Sequence, residues 1–453
     1  MMPFFNQPSL IVQEKMGNLH NFIYRDKKII YQSFNKETGK IRKKVINHQA
    51  TNDYDAGINP SGEIYLVCRN ENNSVVLLSS HRDFAHSRVI VEAERKAQNL
   101  NICVIGDEIH IFYCVPQGED KTKYKINQYY DNGIDWTNQE INSISRGEVL
   151  NPIQTIVTGE KIFLVYFNLV SGIEQIFIKT YDLDKQNWSD DQQLTTSKEN
   201  KLYLDVIIRE MGKLEIAYCE YEEGNLVVKY EKHKIEGCSI IKKIEEQKIS
   251  NGENCQNPTL IYYGKMLWIC WVEYNYIASR YSKNEGGSWS DIYLWKQSKV
   301  DDIVRHKYIV NKDNGDVLNY SFGSADDLRF IGFGNLENTS VIPIKRKGFV
   351  NNMDVKKEII KNDDFIDNNY ESKELLSDDN IIKKQINENK LSEEIENRID
   401  KIENEIETLK KGYKRVLDLE EKQYVELEER ILIIENFLTQ NTRGFRHIRK
   451  NNN

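Results

Sequence analysis

Five Asn and Asp residues recur at one position of a repeated pattern, seven or eight residues before a turn. They are Asp55, Asn99, Asn151, Asp205 and Asn257. Amide and carboxylate groups hydrogen-bond readily, so five of them together could hold the hydroxyls of a sugar. Their oxygen atoms also suit a hard cation such as calcium. We predict that these five residues bind a ligand. The alternative is that Asn and Asp only favour the turn that enters a strand.

The pattern itself is a turn followed by a short strand of alternating apolar residues. It occurs seven times, beginning at Lys27, Gly62, Gly106, Gly159, Gly212, Gly264 and Gly315. A short apolar strand precedes each turn, and another usually follows the second strand. Three or four short strands per repeat, with turns between them, are typical of the blades of a β-propeller.

Seven turns predict an all-β, seven-bladed propeller. Six or eight blades are the alternatives, because the first and last repeats of such arrays often diverge. We expect residues 9–13 to close the ring by pairing with the last blade, which would cover an open sheet edge. The inner strands of a propeller line a central channel and begin at one mouth, so the five Asn and Asp residues would form a polar ring there.

Residues 282–289 read SKNEGGSW and resemble the Asp-box pattern S-x-D-x-G-x-x-W, with Asn284 in place of Asp. Residues 129–136, YYDNGIDW, match the same pattern at Asp131, Gly133 and Trp136. With the repeat period, these motifs make the body similar to the sialidase-like propellers built from Asp-box (BNR) repeats. In that family the boxes are structural turns away from the active site.

The resemblance implies three arginines that bind the sialate carboxylate, a tyrosine nucleophile paired with a glutamate, and an aspartate that acts as the acid and base. The family's first arginine lies in an R-I-P sequence, whereas the corresponding stretch here is HNFIYRD, with the arginine at Arg25. We expect Arg280 to form a solvent-facing salt bridge, and nothing in the sequence groups three arginines. The other candidates are Arg69, Arg82, Arg209 and Arg305. We therefore predict no catalytic residue.

The cysteines and histidines show no metal-binding or redox pattern. Seven cysteines occur without a CxxC pair, and the histidines lack HxH or HExxH spacing. Cys68, Cys114, Cys219 and Cys270 each end a similar apolar run, which indicates core packing. We predict no metal site or cofactor, with calcium at the polar ring as the exception. No nucleotide-binding or serine-hydrolase motif occurs, and the nearly neutral body makes nucleic acid an unexpected partner.

The carboxyl-terminal part differs in composition. Residues 1–346 form the predicted propeller, 347–385 a flexible acidic linker, 386–440 a coiled coil and 441–453 a basic disordered tail. Residues 351–440 carry a net charge of −9. Apolar residues at seven-residue spacing include Ile395, Ile402, Leu409 and Val416, with a shift of register near Leu417. Such a stripe predicts self-association as a dimer or trimer; the alternative is a monomeric helical hairpin that turns near Gly412.

These features predict a non-enzymatic propeller that binds a glycan or surface ligand and gains avidity from its stalk. The alternatives are a sialidase-like exo-glycosidase and a structural scaffold for protein–protein interaction. No signal peptide or run of about 18 apolar residues is visible, so we expect cytoplasmic synthesis without a membrane span. The Lys-, Asn- and Ile-rich usage resembles that of low-GC bacteria, where association with a spore or particle surface is one setting for such a protein.

Overall fold

A computed structural model describes residues 9–344, apart from 132–134, 148, 210–211, 237–238, 275, 301–302, 311–315, 325–329 and 334–335. The predicted linker (347–385), coiled coil (386–440) and basic tail (441–453) lie outside the described residues and stay predictions. The described part is all-β except for one turn of α-helix, Gln297–Val300, and three short 3-10 turns.

The strands form six sheets, numbered here as blades 1 to 6, and all pairs of neighbouring strands except one in blade 1 are antiparallel. Blade 1 contains β1 to β4, which are Ser9–Gln13, Leu19–Arg25, Lys28–Phe34 and Ile41–Asn47. Blade 2 contains β5 to β8, which are Ala50–Ile58, Ile64–Asn70, Val75–Ser79 and Ser87–Val91. Blade 3 contains β9 to β12, which are Gln98–Ile105, Glu108–Gln117, Asp120–Asp131 and Trp136–Ser145. Blade 4 contains β13 to β17, which are Gln154–Thr158, Lys161–Val170, Ile173–Asp182, Asn187–Trp188 and Gln192–Gln193.

Blade 5 contains β18 to β21, which are Lys201–Arg209, Lys213–Glu222, Asn225–Glu236 and Ser239–Lys248. Blade 6 contains β22 to β25, which are Gln256–Tyr263, Met266–Glu273, Tyr276–Ser282 and Ile292–Trp295. The remaining strands, β26 to β29, are Ile303–Val310, Val317–Leu318, Tyr320–Ser324 and Thr339–Ile342.

The described part of the chain is therefore a six-bladed β-propeller. The prediction of seven blades was wrong, and the six-blade alternative is confirmed. The seventh repeat adds strands to two existing sheets: β26 and β28 join blade 1, and β27 and β29 join blade 6. Its strands β27 and β28 are only two and five residues long. Such short strands gain hydrogen bonds by extending a sheet that already exists, whereas two of them alone could not stabilise another blade.

The ring closes where the two ends of the body meet. Strand β1 pairs in parallel with β26, with Ser9 opposite His306 and Gln13 opposite Val310. Residues 9–13 do pair with a strand of the seventh repeat, but the expectation that this strand belongs to the last blade was wrong, because β26 is part of the blade 1 sheet. This pairing removes the exposed edge that β1 would otherwise present.

Apolar residues fill the spaces between neighbouring blades. One cluster joins Phe22 of blade 1 to Leu66 of blade 2, and another joins Phe163 of blade 4 to Val206 of blade 5. Strand β23 is buried over seven of its eight residues because both of its faces are covered. The predicted core role of the cysteines is confirmed for Cys68, Cys114, Cys219 and Cys270, which are buried free thiols.

The turn at residues 282–289 has the local geometry that the box-like sequence suggests. The side-chain oxygen of Asn284 accepts a hydrogen bond from the backbone amide of Ser288 at 2.8 Å. Asn284 thus accepts the hydrogen bond that an aspartate carboxylate would accept at this position. Gly286 adopts φ +90°, and a Cβ there would lie 2.4 Å from the Tyr230 hydroxyl oxygen. Only glycine fits this position. The turn also places Glu285 beside blade 5, where its carboxylate pairs with Lys213.

Candidate functional site

Three of the five sequence-predicted ligand residues connect one inner strand to the next. The Asp55 carboxylate accepts a hydrogen bond from the Ile102 amide at 2.9 Å. The Asn99 side chain donates to the Asn151 carbonyl oxygen at 3.0 Å, and Asp205 accepts from the Leu260 amide at 2.8 Å. In this structure these side chains stabilise the contacts between blades.

The other two predicted residues make local contacts. The Asn151 amide donates to both carboxylate oxygens of Glu174, each at 3.2 Å. Asn257 has φ +50°, and its carbonyl oxygen accepts a hydrogen bond from the Thr259 hydroxyl at 3.1 Å. The structure spreads the five residues over blades 2 to 6, and their role as ligands stays a prediction. Within the described ranges, no group of three or more His, Cys, Asp or Glu residues is arranged to hold a metal ion.

A large cavity of about 1290 Å³ lies along the axis of the ring. Its wall is formed by the inner strands and by β27 and β28, and none of the five predicted residues lines it. The cavity reaches the end of the ring at which the first two strands of a blade meet, since Gly159, Gly212 and Gly264 line it. Glu285 of the box-like turn lies at this same end. In the family that the sequence resembles, by contrast, the boxes lie away from the active site.

The short strands of the seventh repeat pass through the central channel. The Asn319 side chain contacts Asp205 at 3.3 Å, and the Tyr320 hydroxyl lies 3.4 Å from Nε2 of Gln154. The Arg305 guanidinium lies 3.6 Å from the centre of the Tyr320 ring. This segment therefore connects blades 4 and 5 to the closing strand. The sequence pattern does not reveal this role, because the seventh repeat is predicted to form a blade of its own.

Gln154, the first residue of β13, has an unmet hydrogen-bonding group in the cavity wall. The side chain is 6% exposed, and its Nε2 donates to the Leu204 carbonyl oxygen at 2.8 Å. Its Oε1 has no hydrogen-bond partner among the described residues. An unsatisfied buried acceptor costs about 1–3 kcal/mol, and this oxygen is covered by protein atoms rather than open to the cavity.

An ion pair crosses the cavity wall between the closing strand and blade 2. The Lys307 ammonium lies 2.7 Å from Oδ2 of Asp55, whose side chain is almost fully buried. Burial lowers the pKa of Lys307, but the charge and hydrogen bond of Asp55, together with Tyr320 and Cys103, outweigh that effect, so the net shift of the pKa is upward. Oδ1 of Asp55 has no hydrogen-bond partner among the described residues. Asp55 does not itself line the cavity, so this unmet acceptor is not part of the cavity wall.

Two further cations in the wall are also paired with carboxylates. Nε of Arg209 donates to Glu215 at 2.7 Å, and the Arg209 guanidinium lies 4.5 Å from the centre of the Tyr262 ring. The Lys213 ammonium contacts Glu285 at 2.6 Å. These pairs cancel part of the positive charge of the wall, to which Lys161 and Lys265 also contribute.

The arginine clamp implied by the sialidase resemblance does not form around this cavity. Of the six arginines considered from sequence, only Arg209 lines it. The expectation of a solvent-facing salt bridge for Arg280 was wrong. That side chain is 9% exposed and donates to the carbonyl oxygens of Ile249, Trp289 and Ser290. Burial lowers the pKa of Arg280 to about 10, and its several donors join the box-like turn to the end of blade 5.

No protein-family profile and no curated protein matches the chain. Many solved structures are similar in fold. The polysaccharide lyase Uly1 shares 12% identity over 64% of this chain and 81% of its own, with a TM-score of 0.44. The Aleuria aurantia lectin, a six-bladed propeller that recognises fucose, shares 12% identity over 63% of this chain and 93% of its own, with a TM-score of 0.38.

A prolyl endopeptidase also matches, with 10% identity over 63% of this chain and a TM-score of 0.43. The chain spans 41% of that enzyme's length. In the described part of the chain, no helix is long and apolar enough to cross a membrane.

Proposed function

We propose that this chain is a non-enzymatic, ligand-binding propeller that takes a carbohydrate into its central cavity. The observation that carries the proposal is the buried, unpartnered Oε1 of Gln154 in the cavity wall. Protein atoms cover this oxygen, so a small rotation of the Gln154 side chain would let it accept a hydrogen bond from a sugar hydroxyl and satisfy an acceptor that the protein leaves unmet.

The rest of the cavity supports the same class of ligand. Binding pockets for small molecules combine aromatic and apolar walls with a few placed polar groups. Tyr262, Tyr308 and Tyr320 line this cavity beside the side chains of Asn101 and Asn319. Tyrosine rings offer flat apolar faces, and the amides offer hydrogen bonds to hydroxyls.

Binding is favoured over hydrolysis because the wall does not gather the arginines that the sialidase reaction would use. Arg209, the one considered arginine in the wall, is held by Glu215 and Tyr262. A fluorogenic sialoside is a direct check on this choice. Its hydrolysis by the wild-type protein, abolished in Arg209→Ala, would replace the binding proposal with the exo-glycosidase alternative.

Residues 386–440 complete the proposal as a coiled coil that joins several heads. Linked heads would convert weak single-site binding into avidity for a surface that displays many glycans. Light scattering should show an oligomer for the full chain and a monomer for a chain ending at residue 390. An unchanged oligomeric state after truncation would contradict the stalk and leave the cavity proposal intact.

The test of the cavity is glycan binding by the full chain and two matched variants. Gln154→Met removes the unmet acceptor, and we expect it to abolish most glycan binding. Gln32→Met is the control, because Gln32 is 8% exposed, also has an unpartnered Oε1 and does not line the cavity. Equal loss of binding in both variants, or no glycan bound by wild type, would contradict the proposal.

A further inference from the structure

Positive charge is concentrated on the outside of blades 1 and 2. Residues 36–44 and 80–88 contain seven Lys and Arg residues against two acidic residues, a net charge of +5. The first turns of the same two blades add Glu14, Lys15 and Glu63, which leaves +4. The first 350 residues together carry −3, so the charge of the propeller is distributed unevenly.

Six of the seven cations are exposed and have no ion pair among the described residues. We call them the basic rim, and they are Lys36, Lys40, Arg42, Lys43, Arg82 and Arg88. The seventh, Lys44, pairs with Asp83. Asp107 and Asp135 lie in the corresponding turns of blade 3, so the basic rim ends at blade 2.

The basic rim lies at the end of the ring where the cavity opens. Gln13, the last residue of β1, pairs with Val310, which lines the cavity. The turn that follows carries Gly17, and a Cβ there would lie 2.8 Å from Cδ of Lys36. A glycan that approaches the cavity from this end therefore also approaches the rim.

The contact between Lys44 and Asp83 joins the two halves of the rim. The Lys44 ammonium donates to the carbonyl oxygen of Asp83 at 2.8 Å and also contacts its carboxylate. Arg42 lies two residues before Lys44 on β4, about 7 Å away on the same face of the strand. Arg82 directly precedes Asp83. The two segments therefore form one surface that crosses from blade 1 to blade 2.

The side chains of the rim favour an acidic polysaccharide over a peptide or a nucleic acid. Lysines on an outer edge strand such as β4 discourage pairing with another strand. Single-stranded nucleic acids stack their bases on aromatic rings, but the exposed apolar residues here, Ile41 and Val89, are aliphatic, and Arg88 lies over the nearby Trp136 ring. Acidic groups along a sugar chain need neither an edge nor a ring to pair with ammonium and guanidinium groups.

We infer that the basic rim binds an acidic polysaccharide, whose carboxylate or sulfate groups pair with Arg42, Lys43 and Arg82 on the outside of blades 1 and 2. This surface is separate from the cavity and goes beyond the proposed function. A polymer held at the rim lies beside the cavity opening, so it adds a second contact with a glycan-covered surface. The rim can fail to bind while the cavity still takes its ligand.

The experiment measures binding of the full chain to immobilised polygalacturonate, dextran sulfate and neutral dextran. We expect the wild-type protein to bind at least one acidic polymer and to lose most of that binding between about 50 and about 500 mM salt. Arg42→Gln/Lys43→Gln/Arg82→Gln should weaken this binding by about tenfold, because it removes three exposed ion pairs. The preference between the two acidic polymers identifies the carboxylate or the sulfate as the recognised group.

A second triple variant with the same change of charge is the control. Lys121→Gln/Lys198→Gln/Lys296→Gln alters exposed residues at the opposite end of the ring and should bind the polymers as the wild type does. Gln154→Met should also keep this binding, whatever its effect on the cavity. Equal binding by the two triple variants, or neutral dextran bound as tightly as the acidic polymers, would overturn the inference. A DNA oligonucleotide that binds more tightly than either acidic polymer would overturn it in favour of nucleic acid.

Discussion

Lys307 and Asp55 lie 252 positions apart in the chain, yet the Lys307 ammonium and the Asp55 carboxylate are 2.7 Å apart. Lys307 lies on the closing strand β26, and Asp55 lies on the inner strand of blade 2. Asp55 also accepts the Ile102 amide of blade 3. One carboxylate thus connects the closing strand to two successive blades.

Removing one partner of this pair should destabilise the ring more than removing both. Lys307→Met leaves the Asp55 charge buried without its cation, and we expect a loss of about 3 kcal/mol of unfolding free energy. Asp55→Asn combined with Lys307→Met removes both charges and should recover most of that loss. Urea denaturation of the three proteins measures the difference. A double variant no more stable than Lys307→Met would contradict this role for the pair.

Asp205 should make the protein less stable as the pH rises. Burial raises its pKa to about 6, and the nearby Arg305 charge offsets only part of that shift. The folded pKa lies above the unfolded value of 3.8, so the stabilisation is complete below pH 3.8 and is lost as the pH rises through 6. The difference in unfolding free energy between Asp205→Asn and wild type should therefore shift in favour of the variant by up to about 3 kcal/mol from pH 4 to pH 7. Denaturation curves at several pH values test this, and parallel pH profiles would refute it.

His306 should have the opposite effect in the same pH range. Burial lowers the pKa of His306 to about 4. Its ring nitrogens form hydrogen bonds with the Ser9 hydroxyl at 2.9 Å and the Ser324 carbonyl oxygen at 3.1 Å. Its folded pKa lies below the unfolded value of 6.5, so its contribution is present above pH 6.5 and is lost as the pH falls towards 4. Wild type should lose up to about 3 kcal/mol of unfolding free energy through His306 on acidification, and His306→Gln should not show this loss. The melting temperature between pH 4 and 7 reports the change, and a variant as acid-sensitive as wild type would contradict it.

A substitution at Gly286 should separate the steric constraint of the box-like turn from the constraint on its backbone. Gly286→Ala places a methyl group 2.4 Å from the Tyr230 hydroxyl oxygen at φ +90°. Gly118→Ala is the control, because Gly118 has φ +62° and open space around its Cβ position. We expect a loss of about 1 kcal/mol in the control and more than about 2 kcal/mol at Gly286. Equal melting temperatures for the two variants would show that the Tyr230 contact is unimportant.

The sequence alone determined the strand content, the repeated turns and the burial of the cysteines, because these depend on local patterns. Alternating apolar residues specify a strand wherever the chain places it, and a glycine with positive φ specifies a turn. The box-like turn at 282–289 was also visible, since its hydrogen bonds, Ser288 to Asn284 and Gly286 to Ser282, each span only four residues.

Only the tertiary structure decided the number of blades and the place of the cavity. The seventh repeat has the same local pattern as the others, but β27 and β28 gain more by extending two existing sheets than by pairing with each other. The position of Gln154 beside Tyr320 depends on residues 166 positions apart, and no local pattern records it. The Asn and Asp residues predicted as ligands make contacts between blades and within loops, because the partners of their side chains are decided by how neighbouring blades pack. Their role as ligands stays a prediction.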